Sequence, residues 1–251
     1  MIGEGMGAPV EAGGAPRAIR RYRDRSRTER AELDAVLDGL LVATLSTVVD
    51  GGPCVVPLLV VRDGDRLLLH GSTGAGALRH VAAGAPAAVS VVHLDGIVVA
   101  DSTFDSSANY RSAVVYGTLE PILDAEEKRR SLDVISEAIL PGRTAEVRAM
   151  TDKEVAATGV LAMEIREGDW LVKTRVGGPG AAPPDLASSE PDADAVPWTG
   201  VVPLSMVAGE PVPEPWVAAA EVPRSVQERI RLGGAAGPGM VGNSADRPRV
   251  D

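Results

Sequence analysis

The sequence predicts a mainly β protein with flanking helices, folded as a closed or nearly closed antiparallel barrel. Three observations carry this. Short β-branched runs alternate with Asp-Gly turn pairs in hairpin order, helical stretches are few and short, and 45% of the 251 residues are hydrophobic, enough for a real core. Only 3% are aromatic, so that core must be built from Ala, Val and Leu.

The chain divides unevenly. Residues 1–18 are rich in Gly, Ala and Pro, and beyond 178 Pro, Gly, Ala, Ser and acidic residues recur without a steady period. The expected division is a disordered segment 1–18, a barrel domain 19–178, and a partly ordered extension 179–251. The run "RRYRDRSRTER" at the domain's edge reads as a solvated helix face. Ser26 followed by Glu29 has capping-box spacing and predicts a helix from about Arg27 to Leu37, ending near Gly39.

Strand patterning follows. "LLVATLSTVV", "PCVVPLLVVRD" and "RLLLHGS", separated by Asp50-Gly51-Gly52 and Asp63-Gly64, predict a three-strand meander. "GAGALRHVAAG" has helical composition, with Gly84 and Pro86 ending it. "AAVSVVHL", "GIVVADST" and "RSAVVYGTLEPI" predict three more strands, with a turn at Asp95-Gly96. A helix from about Asp124 to Leu140 is expected, with Asp124 as N-cap and an apolar stripe through Leu132, Ile135 and Ile139. Short helical pieces over 143–157 precede two closing strands, "GVLAMEI" and "DWLVKTRV", and "PRSVQERIRL" predicts a late short helix.

Composition excludes several functions. A net charge of −10 disfavours nucleic-acid binding, which needs clustered cations opposite phosphates, and leaves a small molecule or a protein as partner. The single Cys54 allows no intrachain disulfide and no cysteine zinc site. No apolar run reaches the roughly 18 residues of a spanning helix, and the N-terminus lacks a signal peptide's apolar core, so a cytoplasmic protein without a membrane partner is expected. There is no G-x-S-x-G elbow, and His70, His80 and His93 have no metal-ligand spacing.

Three clusters are candidates for chemistry. His70, Gly71, Ser72 and Thr73 end a strand where a helix begins, so backbone N–H groups and two hydroxyls could receive a phosphate. An ordinary turn with Ser72 or Thr73 as N-cap explains the same residues. Asn109, Tyr110, Arg111 and Ser112 put a bidentate anion binder beside an aromatic ring, which suits a phosphorylated aromatic ligand. The plain alternative is an exposed loop with Arg111 as a surface charge. Lys173 and Arg175, two apart on a strand, share a face, as alternating exposed residues also would.

In their order, "LLVATLSTV", Pro53-x-Val55-Val56-Pro57, "DGDRLLLHGSTG", "LDGIVVADSTF", "NYRSAVVYG", "WLVKTRVGGP" and "PWTGVVPL" resemble the pyridoxamine 5'-phosphate oxidase-like flavin-binding split-barrel superfamily. The nearest branch is that of nitroimidazole-resistance-type proteins. The resemblance covers residues 20–215 and implies a six-stranded split barrel forming a homodimer, with FMN in grooves at the subunit seam. It implies that Val56, Pro57 and Leu58 pass along the flavin, that His70–Thr73 approach its ring or phosphate, and that Asn109–Ser112 line the same groove. Lys173, Arg175 and Trp198 would contribute late in the chain. Two places depart from the pattern. Ala75-Gly76-Ala77 stands where relatives carry a phosphate-neutralising basic pair, and Asp105-Ser106 stands where this branch has histidines. Either that anchor is lost, or Arg111 and backbone amides replace it.

The expected function is an FMN-dependent oxidoreductase acting on a small molecule, with His70 as proton donor or substrate-orienting group. The alternatives are a split barrel diverted to haem, a deazaflavin or a biosynthetic intermediate, touched by His70 or His93; a non-catalytic flavin-binding protein; and a structural dimer without a ligand.

Overall fold

The computed structural model describes residues 18–39, 41–72, 76–180, 197–217 and 221–233. Its strands are β1 (Ser26–Arg27), β2 (Val42–Val49), β3 (Gly52–Asp63), β4 (Arg66–Ser72), β5 (Ala87–Val99), β6 (Ser107–Gly117), β7 (Glu120–Pro121), β8 (Thr158–Glu164), β9 (Trp170–Arg175) and β10 (Gly200–Pro203). Its helices are α1 (Arg30–Leu37), α2 (Gly76–Ala82), α3 (Ala125–Ile139), α4 (Asp152–Ala157) and α5 (Arg224–Gly233). Every pairing is antiparallel, in the order β1-β9-β6-β5-β2-β3-β4-β8-β7, with β10 added to β5.

The ends of this sheet are close. β8 and β9 lie toward opposite edges yet are joined by only Ile165–Asp169. So few residues span at most about 20 Å, so the sheet must curl until its edges approach. This is the nearly closed antiparallel barrel that the strand pattern predicts, and it is consistent with the split barrel that the resemblance implies. The strand count is corrected from six to ten, two of them only two residues long.

Local chemistry explains most of the elements. Val49 pairs with Gly52, leaving Asp50 and Gly51 as a two-residue turn with φ of 51° and 77°, the type I′ geometry that matches strand twist. Asp124 caps α3 by accepting from the Glu127 N–H at 2.8 Å, and Thr151 with Glu154 forms a reciprocal capping box on α4.

Two predicted features differ. The Ser26–Glu29 capping box does not form: Ser26 and Arg27 are taken into β1, opposite Lys173 and Val172, so α1 starts only at Arg30. Asp95-Gly96 is not a turn but a bulge within one continuous β5, because pairing jumps from Leu94↔Tyr110 to Gly96↔Asn109. Gly96 suits that place, since a Cβ would lie 3.0 Å from the Val202 carbonyl of β10, closer than an ordinary contact.

The core has two layers. Inside the curl, Leu45, Leu67, Leu69, Val89, Val115 and Met163 meet Leu33 and Val36 of α1 and Val81 of α2. Outside it, Val61, Leu68, Val160 and Ala162 are covered by Leu132 and Ile135 of α3 and Val155 of α4. Leu67, Leu68 and Leu69 are all fully buried, so β4 is packed on both faces. No helix among the described residues is long and apolar enough to cross a membrane.

His93 ties α1 to the sheet: its buried Nε2–H donates to the Val36 carbonyl at 2.8 Å. A Cβ at Gly39 would lie 2.4 Å from His93 Cε1. Gly39→Ala must therefore displace the ring and is expected to cost about 1–3 kcal/mol in urea unfolding, the scale of a lost buried hydrogen bond with overpacking. Burial holds the His93 imidazole below its ordinary pKa, with the Arg111 charge acting the same way and the Val36 bond and Asp95 opposing. The unfolded chain then takes up a proton that the folded one resists, so stability is complete above the ordinary histidine value of about 6.5 and is lost as pH falls below it. His93→Gln keeps a donor for Val36 and removes the titration. Its melting temperature is expected to fall less than the wild type's between about pH 7.5 and about pH 5.5, a window above that of the carboxylates.

Candidate functional site

Alternation gives each strand residue a side. Ala43, Leu45 and Thr47 point into the curl, so Val42, Thr44, Ser46 and Val48 point out. Register carries that outer face across Pro53, Val55 and Pro57 of β3, Ala88, Ser90 and Val92 of β5, and Tyr110, Ser112 and Val114 of β6. It is largely apolar and, among the described residues, uncovered: Val42, Val55 and Val92 are 56%, 59% and 63% exposed. A contiguous apolar area of this kind marks a surface that something covers.

Against this face the predicted site residues separate. Val56 and Leu58 lie opposite Leu45 and Ala43 and turn inward, leaving Pro57 alone of that trio on the outside. On β6, Tyr110 and Ser112 face out, while Arg111, opposite His93, belongs to the inner side. The idea of one anion-binding row at 109–112 is thereby corrected, because successive strand residues cannot share a face. The Arg111 guanidinium is also engaged, donating to both Asp95 carboxylate oxygens at 2.9 and 2.8 Å. Asn109 accepts from Arg175 Nη1 at 2.5 Å, which joins the second and third candidate clusters.

His70 sits on β4 opposite Val160, on the side that α3 and α4 cover. Its Nδ1 is buried and makes no hydrogen bond. His80 and His93 differ, each spending Nε2 on a backbone carbonyl, that of Val48 and that of Val36. Gly71 admits Leu78 of α2, whose Cδ1 would lie 2.5 Å from a Cβ there. Ser72 ends the strand opposite Thr158; Thr73 and Ala75 lie outside the described residues. Ala77 falls in the second position of α2, a helix of only seven residues. Trp198, 65% exposed, precedes β10 and lies beside Gly200.

Two features escape the sequence reading. Tyr22 gathers cations: the guanidinium carbons of Arg25 and Arg21 lie 4.0 and 4.8 Å from its ring centre, and Lys173 Nζ lies 5.7 Å away. The only signal was an aromatic inside an arginine-rich run of an acidic chain. The other is a cavity of about 430 Å³ between the β5 bulge and the C-terminal segment, lined by His93, Asp95, Arg111, Met206, Arg229 and Leu232, among others. The helix α5 over it is held by Ser225, whose N–H and Oγ both donate to the Glu146 carboxylate at 3.0 and 2.5 Å. Those bonds hold that carboxyl below its usual pKa.

Comparison with known proteins places this geometry. The family model for pyridoxamine 5'-phosphate oxidase matches residues 29–170. No curated protein matches. Among solved structures, the FAD and heme binding protein from Mycobacterium smegmatis is 45% identical, with a TM-score of 0.76 over 82% of this chain and 97% of that one. The flavocytochrome Anf3 from Azotobacter vinelandii is 27% identical, with a TM-score of 0.74 over 84% of this chain and 94% of that one. A candidate 5-nitroimidazole antibiotic resistance protein from Bacteroides thetaiotaomicron, 20% identical with a TM-score of 0.50 over 59% of this chain and 85% of that one, shares the fold. With the curled antiparallel sheet and a family match over more than half its length, the chain belongs to the pyridoxamine 5'-phosphate oxidase family.

Proposed function

We propose that this protein is a flavin-binding oxidoreductase that also holds a haem, and that it works as a homodimer whose seam is the bare outer face of β2, β3, β5 and β6. The observation that carries the reading is the 45% identity to a protein named for FAD and haem, over nearly the whole of both chains. A flavocytochrome with a similar extent of match supports it. These relatives favour FAD over the FMN expected from the sequence.

The residues present fit both groups. A haem iron takes a histidine nitrogen that has no other partner, and the buried, unbonded Nδ1 of His70 meets that condition. The flavin ring, flat and apolar, suits the outer face, where Pro57, Tyr110 and Ser112 are presented. When bound, a flavin exchanges one or two electrons and a haem one, so the pair can couple a two-electron donor to a one-electron acceptor. The chain's own part is to hold both groups, keep water from the His70 side with the α3–α4 cover, and present the flavin to a small-molecule substrate. The second copy is favoured by the exposed valines, whose burial contributes about 25 cal/mol per Å² of apolar surface.

The test is absorption spectroscopy of the protein reconstituted with haem and with FAD or FMN, then freed of unbound ligand. Retention of both the flavin bands and the haem Soret band is expected. His70→Ala is expected to lose the Soret band and keep the flavin bands. A wild type that retains neither group, or a His70→Ala protein with an unchanged Soret band, would contradict the respective assignment.

A further inference from the structure

Among the described residues the cations around Tyr22 have no counterion. Arg27, Arg30, Arg62, Arg66 and Arg111 each meet a carboxylate. Among the described residues no ion pair joins Arg21, Arg25, Lys173 or Arg175, although the chain has 35 acidic residues for 25 basic ones. Arg25 and Arg175 are close enough to repel. Burial and the Arg25 charge both push the Arg175 guanidinium below its usual pKa, against a pull from Tyr110. The one acidic residue in the Arg23–Arg25 turn is Asp24, whose carboxylate makes no bond among the described residues, its carbonyl accepting instead from Arg27.

The cluster is also held in place. Tyr22 has a left-handed φ of 55°, costly for a bulky residue and kept only where the surroundings impose it. The β1–β9 pairing fixes Ser26 opposite Lys173, and the Arg175 fork is anchored to Asn109, Gly177 and Gly178. Stacking on Tyr22 orients the cations without neutralising them. Repulsion assembled before any ligand arrives is relieved by a multivalent anion.

Its position gives that anion an identity. Lys173 lies opposite Ser112, and Ser112 opposite Val92, so the cluster borders the outer apolar face. We infer that Arg21, Arg25, Lys173 and Arg175 around Tyr22 bind the phosphate or diphosphate of the flavin nucleotide, an inference that rests on the flavin reading above. The cofactor's anchor is thus the N-terminal strand edge.

Titrations of the full-length, ligand-free protein with inorganic pyrophosphate, riboflavin, FMN and FAD test this. For the double variant Arg25→Gln, Lys173→Met, pyrophosphate, FMN and FAD are expected to bind about tenfold more weakly or worse, as for lost charge-assisted bonds, while riboflavin changes by less than about twofold. The milder Lys173→Gln is expected to show a smaller loss in the same pattern at an unchanged melting temperature. Wild-type pyrophosphate affinity in both variants would overturn the site, as would a riboflavin loss equal to that of FAD. If no flavin binds but pyrophosphate still binds in a cluster-dependent way, the anion site stands and the flavin reading falls.

Discussion

A curled sheet one residue thick can be filled on its inside, but its outside must be covered by something else. The inner layer is complete: α1 closes the curl with Leu33 and Val36, and the aliphatic side chains of seven strands meet within it. The outer layer is complete over β4, β8 and the Val61 end of β3, where α3 and α4 lie. Beyond that cover the same face runs on through Pro57, Val55 and Val92, with no described residue above it. The remaining features depend on this division, because it decides which polar groups lie in a dry environment and which face a seam.

Polar groups gather at the borders of the cover. His70 stands on the covered side with an unspent ring nitrogen, and such a group costs free energy unless a ligand engages it. On the opposite border the N-terminal arginines meet Lys173 beside the bare face. Between them, Asp63 and Glu127 grip Arg66 and Arg130, fastening α3 to the β3–β4 hairpin. Such half-exposed pairs contribute modestly and serve chiefly to fix where the cover ends. The C-terminal segment adds its own fastening through Ser225 and Glu146 and closes the cavity at the β5 bulge.

Much of this was legible in the chain. Asp-Gly turn pairs, β-branched runs and the Asp124 cap are local signals, and local hydrogen bonding decides those elements. The bulge at Asp95 was not legible, because its sequence is that of a turn and only the pairing of Leu94 and Gly96 with β6 keeps the strand going. Ser26 was misread for a similar reason: it has the chemistry of a cap, but strand pairing with Lys173, far along the chain, takes its backbone first. Within the site, residue type was readable and facing was not. Arg111 is a bidentate anion binder as expected, yet the anion it holds is Asp95 of the neighbouring strand. The cluster around Tyr22 is not legible as a whole because Lys173 reaches it only through the β1–β9 pairing, across a long stretch of chain.

If the outer face is the seam that completes the flavin site, the protein must be paired before it can function. Sedimentation equilibrium of the full-length protein at micromolar concentration tests that most directly. The account predicts a species of twice the 25.9 kDa chain mass. A stable monomer, with Val42, Val55 and Val92 in contact with water, would contradict it.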